Sequence, residues 1–370
     1  MSSTFTAEQE QLRSVVRQFL EAKSSESAVR EQMATERGFD DTVWKQMADE
    51  LELQALAIPE AYGGSGFGFQ ELTLVLEEMG RALLCAPYFS SIVLAANTLL
   101  QGADDAAKSH FLPRVATGET LATLALTEDT GRWDKDGIAT TARDSDGWRI
   151  SGTKSFVLDG HIADLILVVA RSANGLSLFA VDGDAPGLTR ELLSTLDLTR
   201  KQARLTMEAV PARLIGPEGS AWPTIQRVLQ LAAVALAAEQ VGGAQRVLET
   251  AVEYANLRIQ FGRPIGSFQA IKHKCANMLL AVETARSAAY YAARCAHESN
   301  EDLPLVSSLA KAYCSAAYLQ ATAENIQVHG GIGFTWEHSA HLYFKRAQTS
   351  ELLLGSPVYH RELMADRLGI

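Results

Sequence analysis

The sequence predicts an α+β protein in three consecutive parts: an N-terminal α-helical domain over residues 1–118, a middle antiparallel β-domain over 119–216, and a C-terminal four-helix-bundle-like domain over 217–370. Three observations predict it. Apolar residues recur at helical spacing through the first third of the chain. Short β-rich runs separated by turn signals fill the middle, and the last third holds long segments with few helix breakers.

The elements follow in order. Thr6 with Gln9 forms a capping box ahead of a helix whose Leu12, Val15, Val16, Phe19 and Leu20 share one face. Further helical patterns fall at about residues 40–53, 69–82, 88–101 and 105–117. From Glu119 to about Gly216 the runs "DGWRISGTKSFVLDG", "DLILVVARS", "LSLFAVDGD" and "ARLTMEAVPARLIG" are separated by Asp-Gly, Asn-Gly and Pro-Gly turns. No helical stretch separates them, so antiparallel pairing is expected, because parallel strands need a long crossover. Beyond Pro217 one long helical run is broken only by Gly242 and Gly243; its many small residues imply close contact with neighbouring helices. Runs from Phe268 to about His297 and from Leu303 to about Val328 complete the bundle.

Composition excludes several classes of function. With 47% hydrophobic and 21% charged residues the chain reads as an ordinary globular protein, and a net charge of −11 argues against a nucleic-acid partner. The first twenty residues lack the basic and apolar regions of a secretory signal, and no apolar run approaches a membrane span, so no membrane association and a cytoplasmic location are expected. Cys85, Cys275, Cys295 and Cys314 form no CxxC pair and have no histidine at zinc spacing; they read as small buried side chains rather than metal ligands.

The joints between elements carry the specific signals. "RIQFGRPIGSFQAIKHK", Arg258 to Lys274, links two bundle helices through a Phe-Gly-Arg-Pro turn. An arginine, an aromatic and a glutamine so placed can clasp a phosphate and an adenine; a helix C-cap glycine with ordinary surface charge is the other reading of each residue taken singly. The pattern Arg258, Phe261, Gly262, Gln269, together with "IPEAYGGSGFG" (Ile58 to Gly68), "LALTE" (Leu124 to Glu128) and "QVHGGIGF" (Gln327 to Phe334), resembles the acyl-CoA dehydrogenase family over essentially the whole chain.

The resemblance implies two helical domains with a β-barrel-like domain between them, and FAD lying across a subunit boundary. Arg258, Phe261, Gln269, Gln327, Gly330 and Gly331 match the family's clasp for the ADP half of the cofactor, and Thr127 and Phe156 fall where the family contacts the flavin ring. That second half departs from the pattern. Where the family reads T-E-x-G-x-G-S this chain has Thr127, Glu128, Asp129, Thr130, Gly131, Arg132 and Trp133, and the family's Trp-x-Thr corresponds to Phe156 and Leu158. Arg132, Trp133 and Leu158 are expected to crowd the flavin-ring space.

The catalytic base departs further. The family's commonest base, a glutamate before a glycine, falls on Leu354 in "SELLLGS", and the alternative position, ten residues before Gly242, falls on Ala232. Neither side chain ionises, yet α,β-dehydrogenation of an acyl-CoA requires a carboxylate to remove the α-proton. Glu239 is the remaining catalytic candidate, roughly two turns or about 10 Å beyond Ala232 on nearly the same helical face; a buried pair with an arginine of a neighbouring helix is its other reading. Glu351 lies nearer the usual loop but three positions out of register.

These departures lead to a first expectation, a base-less partner subunit in a heteromeric α2β2 acyl-CoA dehydrogenase, similar to subunits of actinobacterial and proteobacterial enzymes of steroid side-chain degradation. Leu352 to Leu354 would then fill its own substrate cavity. A second is a self-sufficient homo-oligomeric dehydrogenase using Glu239, and a more distant one a related flavin oxidase. For the dehydrogenase readings the implied partners are an acyl-CoA substrate, electron-transfer flavoprotein or a similar acceptor, and either another copy or a second acyl-CoA dehydrogenase subunit.

Overall fold

A computed structural model describes residues 5–370. The chain divides into two compact units: one joins the residues up to Glu31, Phe69–Leu84 and Ala233–Ile370, the other Gln32–Gly68 and Cys85–Ala232.

Helix α1 (Ala7–Lys23) starts at the expected box: Thr6 Oγ1 accepts from the Gln9 amide at 3.2 Å, and the Thr6 amide donates to Gln9 Oε1 at 3.0 Å. It buries Val16 and Leu20. A short helix absent from the sequence reading follows, α2 (Glu26–Ala34), with Glu26 and Arg30 paired one turn apart. The other N-terminal patterns become α3 (Asp41–Asp49), α4 (Phe69–Arg81), a π-helical turn over Phe89–Ala96 continued by α5 (Asn97–Gly102), and α6 (Asp105–Ala116).

Seven strands follow: β1 (Ala122–Ala125), β2 (Thr141–Asp144), β3 (Trp148–Leu158), β4 (Leu165–Ser172), β5 (Gly175–Asp182), β6 (Leu188–Leu192) and β7 (Gln202–Ile215). Their pairings close a ring, β4–β2–β3–β7–β5 and back to β4, around a core that includes Ile150, Val168, Phe179 and Leu205. Most pairs are antiparallel as expected. β1 departs from this and pairs β4 in parallel, and one residue of β2 does the same. The crossover that parallel pairing needs comes from the β2–β3 hairpin, not from a helix, which is why no helical segment announced it.

The long run beyond Pro217 is a single helix, α7 (Ala221–Leu257). Its two central glycines do not break it. They permit a close crossing instead: a Cβ on Gly242 would lie 1.8 Å from the Glu77 carbonyl oxygen, and one on Gly80 of α4 would lie 2.0 Å from the Glu239 carbonyl oxygen. The two backbones touch there because neither helix carries a side chain at the contact. A hairpin of β8 (Ile259–Gln260) and β9 (Arg263–Pro264) leads into α8 (Gln269–His297) and α9 (Leu303–His329), and α10 (Ala340–Leu352) and α11 (Pro357–Leu368) end the chain. Among the described residues no helix is long and apolar enough to cross a membrane.

Candidate active site

The six residues of the expected ADP clasp gather at one end of the helical unit. Tyr254, near the end of α7, stacks on His329, the last residue of α9, with ring centroids 4.2 Å apart. Arg258 lies one turn past Tyr254, and Gly330 follows His329 directly. Lys274 of α8 pairs with Glu324 of α9, which brings the helix start at Gln269 and the helix end at Gln327 to the same place.

Between Arg258 and Gln269 the backbone turns sharply. Phe261 and Gly262 both have positive φ, 53° and 77°, the pair of angles a two-residue hairpin of the type I′ class demands. Glycine takes such an angle freely and phenylalanine does not, so the turn holds Phe261 in a strained conformation with its ring 91% exposed. Arg258, Gln269, Gln327, Gly330 and Gly331 are exposed as well. Nothing lies within 4 Å of a Cβ built on Gly330 or Gly331. A guanidinium, two carboxamides, an open aromatic face and a side-chain-free backbone form a donor set that fits a pyrophosphate with an attached purine.

The β-unit places Thr127 and Phe156 together and uses them differently. Thr127 Oγ1 donates to the Ser155 carbonyl at 2.7 Å, and the Ser155 amide donates to the Thr127 carbonyl at 2.9 Å. The buried hydroxyl that resembles a flavin contact therefore clips the strand ends together. Phe156 sits in a bulge of β3, where the register with β7 shifts between Lys154 and Val157; its φ is 60° and its ring is exposed. Leu158 is buried and brings no hydroxyl, and its carbonyl accepts from Thr123 Oγ1 at 2.6 Å.

The segment after Thr127 is also held from beneath. Lys154 is fully enclosed, and its Nζ donates to the Leu126 carbonyl and to Glu128 Oε1, each at 2.9 Å. Burial pushes Lys154 down to about 8, against the pull of the Glu128 charge. Burial raises Glu128, but the Lys154 charge and the hydrogen bonds from Thr140 outweigh it and hold the carboxyl below its ordinary value. The amides of Ala139 and Thr140 also donate to Glu128, so this carboxylate anchors the loop it begins. Arg132, expected to crowd a flavin, instead pairs with Asp134 and Asp136 of its own loop; Trp133 is half-buried. The sequence shows large side chains there but not that two aspartates two and four residues on would claim the arginine.

The base positions remain non-ionisable in the folded chain. Ala232 is buried. Leu354 is 3% exposed and, unusually for leucine, left-handed with φ 64°. Leu353 is buried beside it in sequence, while Leu352 is 65% exposed and fills nothing, because α10 ends there and turns it outward. Glu239 makes the arginine pair: Arg346 Nη1 of α10 donates to its Oε1 at 3.1 Å, with both side chains buried. The sequence points to an arginine partner in general but not to Arg346, since the register between α7 and α10 comes only from the fold.

Non-glycine residues with positive φ are uncommon, and three lie at positions singled out by motif: Phe156, Phe261 and Leu354. Backbone strain of this kind costs about 1–3 kcal/mol each and persists where the surroundings enforce it.

Sequence models of the acyl-CoA dehydrogenase N-terminal, middle and C-terminal domains match residues 6–119, 123–210 and 219–369. The chain is 35% identical to "Acyl-CoA dehydrogenase IpdE2" of Mycobacterium tuberculosis over 350 residues, 95% of this chain and 94% of that protein. Among solved structures it is similar to a variant of the Tcur3481-Tcur3483 steroid ACAD, with TM-score 0.88 and 32% identity over 98% of both chains. It is also similar to the ChsE4-ChsE5 complex from Mycobacterium tuberculosis, with TM-score 0.91 and 28% identity over 100% of this chain and 99% of that one.

Proposed function

The chain belongs to the acyl-CoA dehydrogenase family, whose members are FAD-dependent oxidoreductases acting on the CH–CH bond of an acyl-CoA, and we propose that within it this chain is the base-less partner subunit of a heteromeric enzyme. The observation that carries the proposal is the pair of apolar residues at both base positions, Ala232 and Leu354, each buried, with the carboxylate candidate Glu239 bound to Arg346. FAD, when bound, supplies the hydride acceptor of the family's reaction. Removal of the substrate α-proton is the step for which this chain places no carboxylate, and the catalytic subunit supplies one.

What this chain contributes is the clasp. Arg258, Gln269 and Gln327 offer donors, Gly330 and Gly331 let a phosphate approach the backbone, and Phe261 offers a ring to the adenine; all six are open to a neighbouring subunit. Two solved relatives are named for two components each, Tcur3481-Tcur3483 and ChsE4-ChsE5, and the first is called a steroid ACAD. That supports an α2β2 assembly and a steroid-derived acyl-CoA here, with electron-transfer flavoprotein or a similar carrier as acceptor. Glu239 as base in a homomeric enzyme is the weaker reading, since its carboxylate is already engaged by Arg346. The cytoplasm is proposed as its compartment, in keeping with four cysteines that are all free thiols.

Expressed alone, the chain is expected to show no dehydrogenation of acyl-CoAs with an artificial electron acceptor, and to gain it on co-expression with a second family subunit carrying a glutamate at the position of Leu354. Turnover by the isolated chain, abolished by Glu239→Gln with the fold intact, would overturn the proposal. The clasp has its own check. Arg258→Ala removes a charge-assisted contact worth about 1.5–3 kcal/mol, so flavin content of the assembled protein, read by visible absorbance at limiting FAD, falls about ten-fold or more.

A further inference from the structure

The turn Glu351–Gly355 is held from behind by a buried lysine. Lys311 of α9 is 0% exposed, and its Nζ donates to the carbonyls of Glu351 and Gly355, each at 3.1 Å, and to Ser315 Oγ at 3.0 Å. The two carbonyls flank Leu354 in the chain. From α11, His360 Nε2 lies 3.0 Å from the Leu354 carbonyl, and a neutral imidazole makes that contact only by donating its Nε2 proton. Three carbonyls of the turn are therefore drawn inward by two side chains from two helices. Helix α10 ends at Leu352, and its last carbonyls lack partners within the helix; the Glu351 carbonyl finds one in Lys311.

We propose that Lys311 is the positioning residue of this turn: its amino group, by gripping the carbonyls of Glu351 and Gly355, fixes the left-handed backbone at residue 354 and so sets the direction in which the residue-354 side chain leaves the chain. This rests on the reading above only in taking residue 354 as the family's base position. A leucine does not choose φ 64° for itself, because its Cβ crowds the following carbonyl. The conformation has to be imposed from outside, and the two gripped carbonyls are the place where it is imposed. The grip is made on main-chain carbonyls and involves no atom of the side chain at 354.

Burial lowers Lys311 to about 7, with the Glu351 charge opposing, against an ordinary value of 10.5. The groups facing it leave it alone in its titration range. Burial and the Lys311 charge push His360 down to about 4, and burial pushes Cys314 up to about 12. Arg367 of α11 contributes a standing positive charge near His360, and Gln240 of α7, which reaches Ser315, is uncharged. The sign follows from linkage. A lysine whose folded value is depressed binds its proton more readily once the turn opens and water reaches it, so opening is favoured at low pH and suppressed as pH rises through about 7 towards the ordinary lysine range.

Hydrogen exchange of the Leu353 and Gly355 amides, which donate to the carbonyls of Thr349 and Leu352, reads this in the full-length protein without substrate or turnover. After correction for intrinsic base catalysis, protection in the unmodified chain is expected to be nearly flat below pH 6 and to rise about ten-fold or more from pH 7 to pH 9. Lys311→Met, which keeps the stem and removes the titrating group, is expected to lower protection at these amides and to flatten the profile. Lys311→Arg, whose charge does not titrate in this range, is expected to flatten the profile too and covers the case in which the methionine variant does not fold. A flat profile in the unmodified chain, or the same rise in either variant, would overturn the assignment.

Discussion

Arg346→Met is expected to destabilise the protein by about 3–5 kcal/mol, because it removes one partner of a buried ion pair. Val234 to Ala238 on α7 are all buried, so the carboxylate has no path to water along that side of its own helix. The backbone at Glu239 is also tightly held, since a Cβ on Gly80 of α4 would lie 2.0 Å from its carbonyl oxygen. The double variant Glu239→Leu with Arg346→Met should recover most of the loss, since an apolar pair of similar volume has no charge to desolvate. Urea midpoints of the two single variants and the double variant decide the matter. Near-additive single effects would show that the two side chains do not depend on one another, and would return Glu239 to consideration as a proton acceptor.

Much of the architecture was legible because its signals are local. The capping box at Thr6, the helical periodicity of α1 and α4 and the Asp-Gly turns of the β-unit are each written within a few residues. Parallel pairing of β1 with β4 was not legible, because it joins segments about forty residues apart through a hairpin that itself reads as antiparallel. The site divided the same way. The clasp residues stand at fixed spacing in two short motifs, so their gathering could be anticipated. The groups that hold the site's backbone, Lys311, His360 and Lys154, carry no motif. Their partners are mostly main-chain carbonyls contributed by other elements. For Lys311 one faint signal existed: it lies in "SLAKAYCSA" on the same face as Ser307, Ser308, Cys314 and Ser315, all buried, where a lysine needs a reason.

Leu354→Glu separates a scaffold from a dehydrogenase that has lost only its base. Leu354 is buried at 3% exposure, and removing a leucine from such a place forfeits about 1.5–3 kcal/mol of apolar burial. The incoming carboxylate adds a desolvation cost of several kcal/mol unless it finds a partner. The cation that grips this turn, Lys311, already has three acceptors, two of them carbonyls of the turn itself. Recruiting it would release the grip on Glu351 and Gly355, so the new pair would form at the expense of the turn that presents it. On the scaffold reading the variant therefore loses about 3 kcal/mol or more and gains no dehydrogenation of acyl-CoAs. Had the pocket stayed open with only the base missing, the glutamate would enter it on a backbone already bent for the purpose, fold with a wild-type melting temperature and turn over substrate with an artificial acceptor. Melting temperature and turnover measured on this one protein distinguish the two, and a stable, active Leu354→Glu would mean that this chain is one side chain away from being a complete enzyme.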